Sequence, residues 1–328
     1  RQYTALELNM VGVERIKEYA EIQQEPPEII EPRPAAGWPT TGEVVVTNLS
    51  LRYAPELPRV LHDVSFEVQS GEKIGIVGAT GSGKSSLALS FFRFVETDEG
   101  TITIDGLDIG KIGLQDLRSR LTIIPQDPTI LSGTIRSTLD PLDEYPDHEI
   151  FDALKRARLL PAEPVPMEDE EGNFNPFYNL ETEVSEQGQN FSAGERQLLC
   201  LARALLKQHP LILMDEATSS VDYETDTLIT ATIAEEFKHS SLLVIAHRLR
   251  TVIGFDKILV LDIGRVVEFD SPAKLIADSN SRFHALCKAT GRREFKVLQR
   301  LSKRDLPAGA MLKRRKTKRS VSGRIEAK

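Results

Sequence analysis

The sequence predicts an α/β fold, a mostly parallel sheet with helices on its faces, and three observations carry this. From about residue 43 onward, short apolar runs alternate with amphipathic helical segments. One of these runs, KIGIV (73–77), is apolar throughout apart from its first residue, as a strand covered on both faces must be. Between that strand and a following helix lies GATGSGKSS (78–86), a glycine-rich turn with the spacing of a phosphate-binding loop.

The elements follow in order. Residues 1–23 predict a helix, with Leu6, Leu8, Met10, Val11, Val13 and Ile16 on an apolar side and Glu14, Arg15 and Lys17 polar. The proline-rich stretch 24–41 stops that helix and predicts an extended linker. The globular part is expected to begin at Gly42 with the strand EVVVTNLSLRY (43–53), followed by VSFEV (64–68) and KIGIV. A helix is expected from Lys84 to about Phe94, and TITIDG (101–106) is a strand ending in an Asp-Gly turn. Residues 127–210 read as a mostly helical excursion with an acidic, proline-containing loop, ending in the helix GERQLLCLARALLKQ (194–208). LILMD (211–215) and LLVIAH (242–247) are strands around the helix ETDTLITATIAEEF, and KILVLD and RVVEFD flank a turn at Ile263-Gly264.

Composition bounds the function. The 328 residues are 40% hydrophobic and 27% charged, which is ordinary for a globular chain with a sizeable core. No run of about 18 uncharged apolar residues occurs, so no segment reads as a membrane span. Cys200 and Cys287 sit in apolar helical patterns without metal-ligand spacing, which suggests a reduced, cytosolic compartment. The first residue is Arg1 and no signal peptide follows, so the chain reads as part of something longer. Net charge is −8, but residues 291–328 hold 14 Lys or Arg against 3 Asp or Glu, leaving 27 basic and 46 acidic side chains in the rest. So acidic a body argues against non-specific nucleic-acid binding. The basic stretch 292–328 is expected to be a disordered tail, either solvated or held near anionic lipid. Its Thr317 and Ser320 lie in weak basophilic kinase patterns.

The chemistry begins at Gly78, Ala79, Thr80, Gly81, Ser82, Gly83, Lys84, Ser85 and Ser86. The glycines let backbone N–H groups point inward at phosphate oxygens, and the helix N-terminus adds partial positive charge. Lys84 then reaches the outer phosphates and the Ser85 hydroxyl can ligate Mg²⁺. In LILMDEATSSVD (211–222) the apolar strand delivers Asp215 to the C-terminal edge of the sheet, where ligands of such sheets bind. Asp215 is placed to partner Mg²⁺ directly or through water, and Glu216 to orient or deprotonate an attacking water.

NFSAGERQLLCLARALL (190–206), about 20 residues before Asp215, resembles the signature motif and helix of ABC ATPases. Gln126 in IIPQDP resembles that family's Q-loop, SSVD (219–222) its D-loop, His247 in IAHR its switch histidine, and Tyr53 in LRYAP its adenine-stacking aromatic residue. The resemblance runs from about Gly42 to Gly291. It implies the ABC ATPase version of the P-loop NTPase fold, in which an antiparallel β subdomain and a helical subdomain flank the core sheet. It also implies ATP and Mg²⁺ as cofactors, with Gln126 beside the metal or lytic water and His247 sensing the phosphate. Two such domains close head to tail in that family, so Ser192, Ala193, Gly194 and Glu195 are implied to act in trans on nucleotide held by a partner domain. Phe191, Ala193 and Glu195 depart from the common Leu-Ser-Gly-Gly-Gln pattern, and the extra methyl and charge are expected to weaken that trans contact.

VERIKEY (13–19), LRSRLTIIPQDPTILSGTIRSTLDP (117–141) and ATSSVDYETD (217–226) are similar to the second nucleotide-binding domain of subfamily C, the multidrug-resistance-associated exporters, and nearest to the fungal oligomycin-resistance permease type. The resemblance implies a first nucleotide-binding domain and transmembrane domains as partners, residues 1–23 as the end of a membrane-domain helix, and a place on the cytosolic face of a plasma or vacuolar membrane. A channel-regulating ABC protein would carry a nearly identical domain. A soluble ABC ATPase is disfavoured by the acidic body and by VERIKEY, and a P-loop kinase would not need the signature helix.

Overall fold

The computed structural model describes residues 2–22, 24–161, 175–215, 223–246 and 248–303. Helix α1 (Gln2–Ala20) precedes the extended segment 24–41. Strands β1 (Val44–Leu51), β2 (Leu61–Val68) and β3 (Lys73–Gly78) lead to helix α2 (Lys84–Phe91). Next come β4 (Glu99–Ile104), β5 (Leu107–Asp108), α3 (Leu114–Arg118) and β6 (Thr122–Ile124). The excursion holds β7 (Gly133–Thr134), α4 (Ile135–Leu139), α5 (Asp147–Arg156), β8 (Glu183–Val184) and α6 (Ala193–Lys207). The chain returns through β9 (Leu211–Asp215), α7 (Tyr223–Glu236), β10 (Ser241–Ile245), α8 (Leu249–Val252), β11 (Lys257–Asp262) and β12 (Arg265–Asp270). Helices α9 (Pro272–Ala277), α10 (Arg282–Ala289) and α11 (Arg292–Ser302) follow.

The central sheet has the order β12-β11-β3-β10-β9-β6, with every neighbour parallel except the β11–β12 hairpin. A second, antiparallel sheet has the order β2-β1-β4-β5. Central strands are apolar on both faces because both are covered. Ile212, Met214, Leu242, Val244, Ile258 and Val260 face a core shared with α5, α6 and α10. Their alternates Leu211, Leu213, Leu243, Ile245, Leu259 and Leu261 face α2 and the antiparallel sheet. Each such side chain contributes about 1.5–3 kcal/mol of burial. Among the described residues no helix is long and apolar enough to cross a membrane. On α1 the side chains of Met10, Val11, Val13 and Ile16 are exposed.

Two expectations are corrected. The globular part does not begin at Gly42, because the linker is docked rather than loose. Trp38 is buried and its indole N–H donates to Ile104 O at 2.9 Å. The N–H groups of Leu114 and Gln115 donate to the carbonyls of Pro27 and Glu28. Arg33 grips Asp116 with two bonds of 2.9 and 2.7 Å, and Arg120 reaches the same carboxylate at 3.2 Å. Nor is residue 292 the start of a disordered tail. Phe295, Leu298 and Leu301, spaced three apart, pack α11 against the core, with Leu298 fully buried. The basic composition of this stretch hid that apolar stripe. The remainder of the basic stretch, 304–328 with Thr317 and Ser320, lies outside the described residues.

Asp116 is 2% exposed and holds both arginines. Arg33 beside it holds its carboxyl below the ordinary carboxylate range. A depressed carboxyl stabilises the fold above its unfolded-state pKa, so this contribution is lost only as pH falls through the acidic range. Asp116→Ala should destabilise the domain by about 2 kcal/mol at neutral pH, since the arginines remain partly solvated. Urea unfolding measures this, and an unchanged midpoint would show the linker dock to be energetically silent.

Candidate functional site

β3 runs through the middle of the sheet and ends at Gly78, where the chain turns into α2. Gly81 and Gly83 have φ of +80° and +99°, the left-handed region that glycine enters without strain. The N–H groups of the first turn of α2 have no acceptor in their own helix, the N-cap Gly83 supplies no side-chain bond, and no acid lies in that turn. Their partial positive charge is therefore offered to whatever lies before the helix. Lys84 is buried with its ammonium donating to Gly78 O and Ala79 O, both at 3.0 Å. Ala79, Thr80, Gly81 and Ser85 are exposed, while Ser82 and Ser86 are buried. The loop thus combines backbone donors, a cation and the Ser85 hydroxyl around one turn. This donor set fits a phosphate chain.

Sheet register brings the other residues to the same edge. Leu261 pairs with Gly78, Ile245 with both Ile76 and Asp215, and Ile124 with Met214. All these strands run parallel, so their C-terminal ends stand side by side. Asp215 is half-buried with Oδ1 shielded from solvent, and Gln126 is exposed two residues past the end of β6. The carboxylate of Asp215, the amide of Gln126 and the hydroxyl of Ser85 are the oxygen donors a hard divalent cation takes. Tyr53, just beyond β1, is 50% exposed, and its hydroxyl lies 2.8 Å from Ser86 Oγ on α2. Glu216, His247 and the segment 219–222 lie outside the described residues; Glu216 and His247 directly follow Asp215 and Ala246 in the chain. Among the described histidines burial shifts His209, pushed down to about 4, which bonds Thr122 at the opposite, N-terminal edge.

Residues 61–219 match the family described as ABC transporter. A pleiotropic ABC efflux transporter of multiple drugs from Candida glabrata is 50% identical over 315 residues, 93% of this chain and 19% of that protein. The ATP-dependent bile acid permease of Saccharomyces cerevisiae is 48% identical over 93% of this chain. Human ATP-binding cassette sub-family C member 3 is 47% identical over 89%. A solved bacterial Atm1-family ABC exporter with ATP bound superposes with a TM-score of 0.73 at 30% identity, over 88% of this chain and 49% of that one. The chain belongs to the ABC transporter family. It is an ATP-binding domain of the ABC type, and it spans 19% of the length of each of the two yeast transporters just described.

The segment that resembles the ABC signature sits on the other layer of the molecule. Helix α6 packs in the core on one face of the sheet and α2 in the core on the other. Ser192 is the N-cap of α6: its Oγ accepts from Glu195 N at 3.2 Å while its own N–H donates to Glu195 Oε2 at 2.7 Å. Glu195, whose charge is expected from the sequence to weaken the trans contact, closes a reciprocal capping box with Ser192. Gly194 is buried, and a Cβ there would lie 2.9 Å from Thr225 Cγ2 on α7. Its small size therefore serves close helix packing in this chain. Ala193 is half-buried beside it.

Sequence reasoning missed Gln197. It is 2% exposed on the packed face of α6, and its Nε2 donates to Pro125 O at 3.4 Å, immediately before Gln126. A polar residue inside the apolar stripe of an otherwise amphipathic helix was the available signal. It also missed the 3.0 Å ion pair between Arg248 and Asp226, which ties the residue after His247 to α7.

Proposed function

We propose that this chain is the second nucleotide-binding domain of a subfamily C ABC exporter, hydrolysing ATP to drive substrate across a membrane. The observation that supports this most is the shared C-terminal edge of the parallel strands, which carries the Lys84 loop, Asp215 and Gln126. In this reading the triphosphate lies along residues 78–86 and the base stacks on Tyr53. The backbone donors of α2 and the Lys84 ammonium offset charge on the outer phosphates. Glu216 accepts the proton of a water aligned for in-line attack on the terminal phosphorus, Gln126 helps align that water, and His247 donates a hydrogen bond to a phosphate oxygen. Ser85, Asp215 and Gln126 would hold Mg²⁺, which supplies charge neutralisation across the phosphates.

The partners in this reading are a first nucleotide-binding domain, whose signature completes the Lys84 site, and transmembrane domains continuous with α1. The Ser192 end of α6 would in turn meet nucleotide held by the first domain, with Glu195 already engaged by its own Ser192. The domain would face the cytosol on a plasma or vacuolar membrane.

Metal removal tests the core of this reading. Hydrolysis by the assembled transporter should stop in excess EDTA and return on adding Mg²⁺. Asp215→Asn should raise the Mg²⁺ concentration that restores half-maximal turnover. A transporter without ATP affinity even in saturating Mg²⁺ would sink the proposal.

A further inference from the structure

The loop between β1 and β2 carries Tyr53, and its two flanks converge on a single carboxylate. Val60 N donates to Leu51 O at 2.7 Å, which closes residues 52–59 into a loop. Arg52, adjacent to Tyr53, donates through Nη2 to Asp98 Oδ2 at 2.7 Å and through Nη1 to Pro55 O at 3.1 Å within the loop. Arg59, at the loop's far end, donates through Nε to the same Asp98 Oδ2 at 2.7 Å. Its Nη1 also donates to Glu99 Oε2 at 3.0 Å. Asp98 is itself fixed, because its N–H donates to Ser50 O at 2.9 Å. The three charged side chains are each about two-thirds or more buried, with exposures of 27% for Asp98, 31% for Arg52 and 29% for Arg59. The paired arginines hold the Asp98 carboxyl below its ordinary range, so it stays ionised at neutral pH.

A stacking platform works only if its ring is held still. A mobile loop must lose conformational entropy when the base arrives, and that loss is subtracted from the affinity. The Tyr53 hydroxyl is anchored on one side by Ser86 of α2, leaving half of the side chain open to solvent. The backbone that carries the ring is anchored on the other side by the Arg52–Asp98–Arg59 brace. Asp98 touches no part of the phosphate loop among the bonds described, so its influence runs through the loop alone.

We propose that Asp98 is a positioning residue for the nucleobase, clamping both ends of the loop so that the Tyr53 ring is preset to stack on adenine. This rests on the reading of the Lys84 loop and Tyr53 as an ATP site. The phosphates should be indifferent to Asp98 and the base sensitive to it.

Equilibrium binding of Mg²⁺-ATP and of Mg²⁺-tripolyphosphate to the full 328-residue chain separates the two. Asp98→Asn should weaken ATP about tenfold and leave tripolyphosphate within about twofold, the latter also reporting an intact fold. Tyr53→Ala should give a similar loss, and the double variant should be little worse than either single one, because both remove the same stacking contact. Arg59→Gln, which removes half of the brace, should fall between wild type and Asp98→Asn. Unchanged ATP affinity in Asp98→Asn, an equal loss for both ligands, or full additivity with Tyr53→Ala would each overturn the proposal. A wild-type chain that binds neither ligand would overturn the ATP-site reading beneath it, a result distinguishable from all of these.

Discussion

Glu216→Gln should leave the assembled transporter able to bind ATP but lower its turnover by about three orders of magnitude, the range a positioned general base supplies. The substitution keeps the size and hydrogen-bonding capacity of the side chain and removes only its ability to take a proton. In the proposed site, binding rests instead on the α2 donors, Lys84 and the Tyr53 ring, which Gln would leave in place. The expected signature is therefore a split, with KM for ATP nearly constant and kcat collapsed. Turnover within about tenfold of wild type would remove Glu216 from the base role. The measurement belongs on the assembled transporter, where the proposed partner signature would complete the site.

Gly78→Ala should also have a large effect, for a different reason. A Cβ at residue 78 would lie 2.2 Å from Leu261 O and 2.7 Å from Ser82 Oγ. The first is backbone of β11, the strand paired with β3 at that position, and cannot rotate aside as a side chain would. Accommodating one methyl means moving β11 away from β3 or lifting the loop that Lys84 closes over. Overpacking of this kind costs about 3 kcal/mol and lowers Tm by roughly 5–10 °C. Because the displaced atoms include the Gly78 carbonyl that receives Lys84, ATP affinity should fall at least about a hundredfold, well beyond what the stability change alone implies. A variant that keeps wild-type Tm and ATP affinity would show that the β3–β11 contact is softer than its geometry.

The α6 start shows how far a local pattern carries and where it stops. Ser192 and Glu195, three apart ahead of an apolar run, are a capping pair whose partners lie within one turn, and the structure contains that pair. Gly194 two residues after the cap has its reason on α7, at Thr225, which no window around residue 194 contains. The linker failed similarly. Arg33, Asp116 and Arg120 are side chains that water satisfies as readily as one another, so only the folded chain reveals that they meet. In α11 a stripe of three apolar residues was outvoted by the charge around it.

By itself the sequence determined the glycine-rich turn between an apolar strand and a helix, the residues that line it, and the alternation that makes the sheet parallel. Those features follow from bond geometry and from hydrophobic patterning over a few residues, so they are written locally. Only the tertiary structure decided that Asp215 and Gln126 stand at the same C-terminal edge of the sheet as Gly78, that Trp38 and Arg33 anchor the linker, and that Asp98 braces the loop of Tyr53. Each of these depends on strand register, on an indole hydrogen bond or on ion pairs, all between residues dozens or more positions apart. Their energies exist only once the core has brought the elements together.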